Sequence, residues 1–292
     1  MPELPDVAVY REALERHIVG RKLEKLRIVS PFVLRSYDPP VSILEGRTIV
    51  ATRRIGKRLV LDFGGGLFLV MHLMIAGRLH WKRPGQKGMG KMLAAFDFAH
   101  GTLFFTEQGS KKRASMTVVR GEEALGALDP GGIEPLEASF EAFVAALERE
   151  SHTLKRTLTD PHLFSGIGNA YSDEILHAAK LSPMKLSRSL TAEEKRRLHE
   201  ATRSTLRSWT DILRAETGDG FPEKVTAFRE GMAVHGRYGK PCPVCDAPVQ
   251  RIVYAENESN YCARCQTGGK LLADRSLSRL LKGDWPKSID DL

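Results

Sequence analysis

Cys242-Pro243-Val244-Cys245 and Cys262-Ala263-Arg264-Cys265 decide how this chain is read. Sixteen residues separate the two pairs, and no other cysteine occurs among the 292 residues. Two Cys-x-x-Cys turns at this separation set four thiolates at the corners of a tetrahedron, on two knuckles joined by a hairpin, which is how a structural Zn²⁺ is held. With sulfur at all four positions the metal keeps no open site, so it builds a platform and does no chemistry of its own. Two disulfides or a redox pair are the competing uses of such cysteines. The chain shows no signal peptide, so a cytoplasmic location with reduced thiols is expected, and one structural zinc is the favoured reading.

A platform must be held against something, and charge indicates what. The formal net charge is +8, distributed as +10 over residues 1–119, −6 over 120–150 and +4 over 151–292. A basic lobe, an acidic connector and a mildly basic zinc lobe suit two surfaces that grip a polyanion; an inert basic surface is the plainer alternative. The length suffices for two cores. No apolar run approaches the roughly 18 residues a membrane span needs, so no membrane partner is expected.

Upstream of the finger the apolar period is helical. Residues 121–150 read as the acidic connector with one helix, 139–150, whose apolar face is Phe140, Phe143, Val144 and Leu147. Thr191-Ala192-Glu193-Glu194 is a capping box that opens a helix running to about Ala215. Gly166-Ile167-Gly168-Asn169-Ala170-Tyr171 is a glycine-rich turn feeding a helix over 172–180. Exposed N–H groups at such a start suit a phosphate, with Asn169 an added donor, although plain helix connections look the same.

Residues 22–29, 47–53, 58–63, 67–73, 77–82, 93–98 and 102–106 are short Val/Ile/Leu/Phe runs separated by turn signals, the pattern of an antiparallel sandwich or flattened barrel. Arg53-Arg54-Ile55-Gly56-Lys57-Arg58 falls at a strand junction and reads as a phosphate-facing edge or as a solvated charge run. His72 lies in an apolar run, where a core histidine is the ordinary case. The chain opens Met1-Pro2-Glu3-Leu4-Pro5-Asp6, then a helix closed by Gly20. Once Met1 is removed, Pro2 is a secondary amine with a pKa of about 8, partly unprotonated and able to form an iminium with an electrophilic carbon. Glu3 beside it can shuttle protons or simply favour the helix start.

Taken together, Pro2-Glu3-Leu4-Pro5-Asp6-Val7, Lys57, His72-Leu73, residues 155–160, residues 166–176, Val234-His235-Gly236-Arg237 and the four cysteines resemble, in register, the formamidopyrimidine-DNA glycosylase/endonuclease VIII family. The resemblance implies an α+β chain with an N-terminal antiparallel β-sandwich lobe and a helical helix–two-turn–helix lobe carrying a zinc-finger hairpin. The corresponding segments are 1–120, 121–232 and 233–267, with 268–292 an extension of unread role. It implies a monomeric DNA repair enzyme that removes damaged bases from double-stranded DNA and cleaves abasic sites. In that scheme Pro2 is the Schiff-base nucleophile at C1′, Glu3 the acid/base partner and Lys57 an aid to proton transfer and charge stabilisation. His72, Lys155 and Asn169 contact phosphates, and Cys242, Cys245, Cys262 and Cys265 hold the zinc.

The chain also departs from the family. The turn that enters the DNA helix carries Arg and Phe in many members, but here it is Glu107-Gln108-Gly109-Ser110-Lys111-Lys112-Arg113, a cationic wedge with Arg113 as its DNA contact and no aromatic. Ile75 stands where the family has Met. The finger normally presents an Arg five residues before its third cysteine, and Asn257 stands there between Glu256 and Glu258. A bifunctional glycosylase and abasic-site lyase is therefore the first reading, and a zinc-dependent protein that binds lesions or abasic sites with little or no catalysis is the second. The damage preference, set by a loop near residues 217–224, is not legible.

Overall fold

A computed structural model describes residues 1–84, 86, 89–109, 111–223, 225, 226, 228–254, 257–273 and 286–291, without the side chains of Tyr254 and Asn257. Ser110, Lys224, Glu256 and the Asn257 side chain, singled out above, thus lie outside the described residues. The chain forms two compact units, one of residues 1–130 with 209–226 and one of 131–208 with 227–292. Helix α6 (Ala192–Thr217) is a single 26-residue rod, opened by the expected box: Thr191 N–H donates to Glu194 Oε2 at 2.9 Å and Glu194 N–H to Thr191 Oγ1 at 3.2 Å.

In the first unit α1 (Leu4–Ile18) precedes eight strands, β1 (Lys25–Ile28), β2 (Ala51–Ile55), β3 (Arg58–Asp62), β4 (Leu67–His72), β5 (Gly77–Lys82), β6 (Met92–Phe98), β7 (Gly101–Glu107) and β8 (Ser115–Arg120), and the short helix α2 (Glu122–Gly126) follows them. They pair antiparallel as two four-stranded sheets, β1-β6-β7-β5 and β2-β3-β4-β8. Strand β8 falls outside the seven apolar runs. Its residues alternate, burying Met116 and Val118 against β4, and a run with only two buried apolar side chains carries little signal. Strand β4 shows why its sequence is apolar without alternation. Leu67, Leu69 and Met71 enter the main core with Val7, Tyr10, Leu14 and Ile18 of α1, while Phe68 and Val70 join Val60 and Leu125 in a second cluster on the opposite face. Each such fully buried side chain contributes about 1.5–3 kcal/mol.

The second unit contains α3 (Phe140–Glu148), α4 (Leu154–Thr159) and α5 (Asn169–Ala178), then the finger hairpin β9 (Gln250–Tyr254) and β10 (Asn257–Tyr261) and the short helix α7 (Ala263–Thr267). Helix α5 starts three residues earlier than its apolar spacing predicts, because extended Gly168 serves as the N-cap and Asn169 is the first helical residue. From Ala170 to His177 it is buried on every face. Beyond the finger, residues 269–272 fold back against 287–289. Leu271 N–H donates to Lys287 O at 2.9 Å and Ile289 N–H to Gly269 O at 2.8 Å. Leu271 and Ile289 complete the finger's core beside Val249, Ile252 and Tyr261, and Leu272 N–H donates to Tyr261 Oη at 2.8 Å. Residues 269–272 and 287–289 therefore form a clasp on the finger. Ile289→Ala is expected to cost about 2–5 kcal/mol of finger stability, seen as faster hydrogen exchange across residues 250–261 with unchanged exchange in the sandwich.

Candidate active site and metal centre

Several ionisable groups of the first unit act on the start of α1. Glu3 is the N-cap and 2% exposed. Its N–H donates to Asp6 Oδ2 at 2.9 Å, while its own side chain accepts from the Asp6 N–H, so a reciprocal box fixes the carboxylate next to buried Pro2. Burial first, then the Arg78 and Lys57 cations, hold the Met1 amino group below its ordinary value of 8, against the opposing pull of Glu3 and Asp6. An amine so placed is poorer in protons than one in water. Lys57 reaches this corner from the two-residue hairpin turn joining β2 and β3. Gly56 there has φ 57°, a conformation that glycine adopts without steric cost.

His72 closes β4. Its Nδ1 accepts the Met74 N–H at 3.0 Å, so the neutral ring carries its proton on Nε2 and presents a donor. Burial, then Arg58 and Lys57, push its pKa down to about 4. As pH falls through 6.5 the unfolded chain takes this proton first, so stability contributed by the neutral ring is present above pH 6.5 and is lost between 6.5 and 4. His72→Gln, which cannot titrate, is expected to flatten that segment of the stability profile in urea titrations at fixed pH. After His72 the chain turns tightly: Gly77 N–H donates to Leu73 O at 2.8 Å, and a Cβ on Gly77 would lie 2.2 Å from that oxygen.

The basic run does not act as one edge. Arg53 pairs with Asp62 at 2.7 Å and Glu122 at 2.8 Å, Arg54 donates to Gly56 O and Arg58 to Leu128 O. The wedge loop is anchored by buried Glu107, whose carboxylate accepts the N–H groups of Arg113 and Ala114 at 3.0–3.3 Å, which leaves Lys111, Lys112 and Arg113 exposed. One residue escaped the sequence reading. Arg78 donates to Val225 O at 2.6 Å, Ile75 O at 3.1 Å and Gly77 O at 2.6 Å, tying the turn after His72 to the loop after α6 beside the amine. Nothing in its spacing marks it, because its partners are backbone carbonyls.

In the second unit Asn169 heads α5, as a donor at a helix start should. Lys155, expected at a phosphate, is buried. Only 5% of its side chain is exposed, and its ammonium donates to Asp173 Oδ1 at 2.5 Å and Asn169 O at 2.6 Å. Placed so, the ammonium supports the Gly168-Asn169 turn from within. Lys155→Ala should then cost about 3–5 kcal/mol by leaving Asp173 buried without its cation, with the slope of log K against log salt unchanged. A slope reduced by about 0.9 would return Lys155 to the phosphates.

The sulfurs of Cys242, Cys245, Cys262 and Cys265 lie within 4.8 Å of one another, the one group among the described residues found able to hold a metal ion. Separations of 3.4 Å for Cys245–Cys262 and 3.9 Å for Cys242–Cys265 bracket the edge of about 3.8 Å that a tetrahedron with Zn–S bonds of about 2.3 Å requires. The donor set therefore fits Zn²⁺. Helix α5 braces it: His177 Nε2 lies 3.3 Å from Cys242 Sγ, and Gln266 joins the finger to Leu181 O at 2.9 Å.

Three family models match. The formamidopyrimidine-DNA glycosylase N-terminal domain covers residues 1–113, the formamidopyrimidine-DNA glycosylase H2TH domain 132–214, and the zinc finger found in FPG and IleRS 239–268. A sandwich with an N-terminal amine corner, a helix–two-turn–helix unit and a four-cysteine finger define the class of zinc-finger DNA glycosylases. The formamidopyrimidine-DNA glycosylase of Thermus thermophilus is 33% identical over 92% of this chain and 100% of its own length, and that of Ligilactobacillus salivarius 30% over 91% and 99%. A structure of the Lactococcus lactis enzyme complexed with abasic-site DNA superimposes with a TM-score of 0.79 at 26% identity, covering 91% of this chain and 99% of that one. The chain belongs to the formamidopyrimidine-DNA glycosylase family. Relatives covered end to end span 91–92% of it.

Proposed function

We propose that this chain is a bifunctional DNA glycosylase that releases damaged bases from duplex DNA and cleaves the resulting abasic sites through an amine at Pro2. The observation that carries the reading is the corner at the start of α1, where the boxed Glu3 carboxylate is fixed next to Pro2 and the Lys57 and Arg78 charges act on the chain's terminus. Loss of Met1 turns the Pro2 nitrogen from an amide into a secondary amine beside Glu3. The amine lone pair forms the N–C1′ bond as the glycosidic bond breaks. Its electron pair leaves with the base, and Glu3 supplies the proton the base requires. Lys57 stabilises charge in that step. The nitrogen then loses its proton and its lone pair opens the sugar by breaking C1′–O4′, with O4′ taking up a proton, which gives the iminium; this acidifies C2′, and loss of a C2′ proton expels the 3′ phosphate and cleaves the strand. The target nucleotide must leave the stack for this chemistry, and the cationic loop at Lys111–Arg113 is suited to the vacated space. His72 and Asn169 serve as neutral phosphate donors, and the zinc holds the finger hairpin with no part in bond breaking.

Segments 1–120, 121–232 and 233–267 are proposed as the catalytic, helical and finger modules, in a monomer that works in the cytoplasm on nucleoid DNA. Among the described residues no helix is long and apolar enough to cross a membrane. Borohydride reduction on duplex carrying an abasic site tests the function: a covalent protein–DNA adduct supports catalysis, and tight binding without an adduct supports the binding-only reading that Asn257 motivates.

A further inference from the structure

Helix α5 contains an arrangement that the chemistry above does not use. Asp173 is 0% exposed, and its carboxylate receives four donors from three separate parts of the chain. Oδ1 accepts Lys155 Nζ at 2.5 Å and Ser259 Oγ at 3.2 Å, and Oδ2 accepts His235 Nδ1 at 2.8 Å and Asn260 Nδ2 at 3.5 Å. Lys155 belongs to α4, His235 to the segment entering the finger, and Ser259 and Asn260 to β10, two or three residues before Cys262. Lys155 also donates to Asn169 O at 2.6 Å. A continuous hydrogen-bonded path thus runs from Asn169 through Lys155 and Asp173 to β10.

The neighbouring contacts fix the same joint. Glu174 accepts the N–H groups of Ala233, Val234 and His235 at 2.7–2.9 Å, and the Phe228 ring stacks on the other side of His235 with centroids 5.6 Å apart and an interplanar angle of 14°. Burial works against the Asp173 charge, but Lys155 and His235 outweigh it and hold the carboxyl below the usual range. A buried ion pair adds little net stability over an apolar pair of the same volume. What it does supply is direction, because each donor must meet a fixed oxygen.

We propose that Asp173 is the positioning residue that locks the Gly168-Asn169 turn and the finger hairpin into one phosphate-gripping element, so that Asn169 and the hairpin engage DNA as a unit. The proposal rests on the reading of this chain as a DNA-binding glycosylase. Its test uses the full-length zinc-loaded protein and a duplex carrying a tetrahydrofuran abasic analogue. Asp173→Asn leaves Lys155 buried and unpaired and can unfold the unit, so the variants are His235→Phe, which keeps the stack on Phe228 but removes the donor, and the charge-free pair Lys155→Met with Asp173→Asn.

His235→Phe is expected to weaken duplex binding about tenfold and to raise KM on abasic DNA likewise, with kcat at saturating DNA and zinc stoichiometry within twofold of wild type. His235→Asn, which restores a donor near the position of Nδ1, should recover most of the affinity. Asn169→Ala should cost several-fold less in the His235→Phe background than in the wild type. Independent, multiplying losses for the two substitutions would overturn the coupling. Hydrogen exchange without DNA separates this from the functional reading: both variants should speed exchange at residues 168–172 together with 257–261. Faster exchange in the hairpin alone overturns the coupling even if the protein binds DNA well. Coupled exchange in a protein with no affinity for the duplex would overturn the DNA-binding reading and not the lock.

Discussion

Protein that keeps Met1, or carries any N-terminal extension, is expected to form no borohydride-trapped adduct and to cleave abasic DNA at a rate indistinguishable from the uncatalysed reaction. An acylated Pro2 nitrogen has no lone pair to give C1′. The geometry around it remains intact in such a protein, since the Glu3–Asp6 box and Lys57 do not depend on the amine, so DNA affinity should persist while chemistry disappears. Glu3→Gln separates the two reactions. It removes the proton donor for the departing base, an effect on the order of 10²–10⁴ in rate, but an abasic site has no base left to lose. Base release should therefore fall far more than lyase action. The Gln side chain can still accept the Asp6 N–H, which keeps the helix start folded and makes the comparison a chemical one.

The second large effect concerns the metal. Cys262→Ser, or removal of zinc by a chelator, is expected to unfold the finger and abolish DNA binding while the sandwich of residues 1–130 remains folded. Metal binding to such four-cysteine sites is folding free energy, on the order of 10–16 kcal/mol in isolated fingers. Cys262 also caps α7 through its sulfur, accepting the Cys265 N–H at 3.4 Å, a role that serine can keep, so Cys262→Ser tests the loss of the ligand. The clasp of Leu271 and Ile289 keeps apolar residues of the finger in contact, but it supplies none of the directional bonds that set the two knuckles. Far-UV and near-UV spectra with zinc stoichiometry check the result. Wild-type affinity in Cys262→Ser would remove the platform role.

Features with a short-range cause were legible in the sequence: the cysteine spacing, the Thr191 capping box, the strand runs and the start of α1. Those set by distant partners were not. Leu271 and Ile289 stand far apart in the sequence, and only the pairing of 269–271 with 287–289 gives them a shared role. Lys155 reads as a phosphate cation until Asp173, eighteen residues on, is seen to hold its ammonium. Arg78 is silent because its three partners are carbonyls. Gly168 looks like part of a loop, yet its extended backbone is what allows α5 to begin at Asn169. In each case the decisive partner is remote in sequence or belongs to the backbone, and local pattern carries neither.

The central claim is that the chain's own N-terminal secondary amine attacks C1′. Peptide mapping by mass spectrometry of the borohydride-reduced complex with abasic DNA tests it most directly. The account predicts that the deoxyribose remnant is found on the peptide beginning at Pro2, with Met1 absent. A remnant on the peptide containing Lys57, from a protein that still carries Met1, would contradict it.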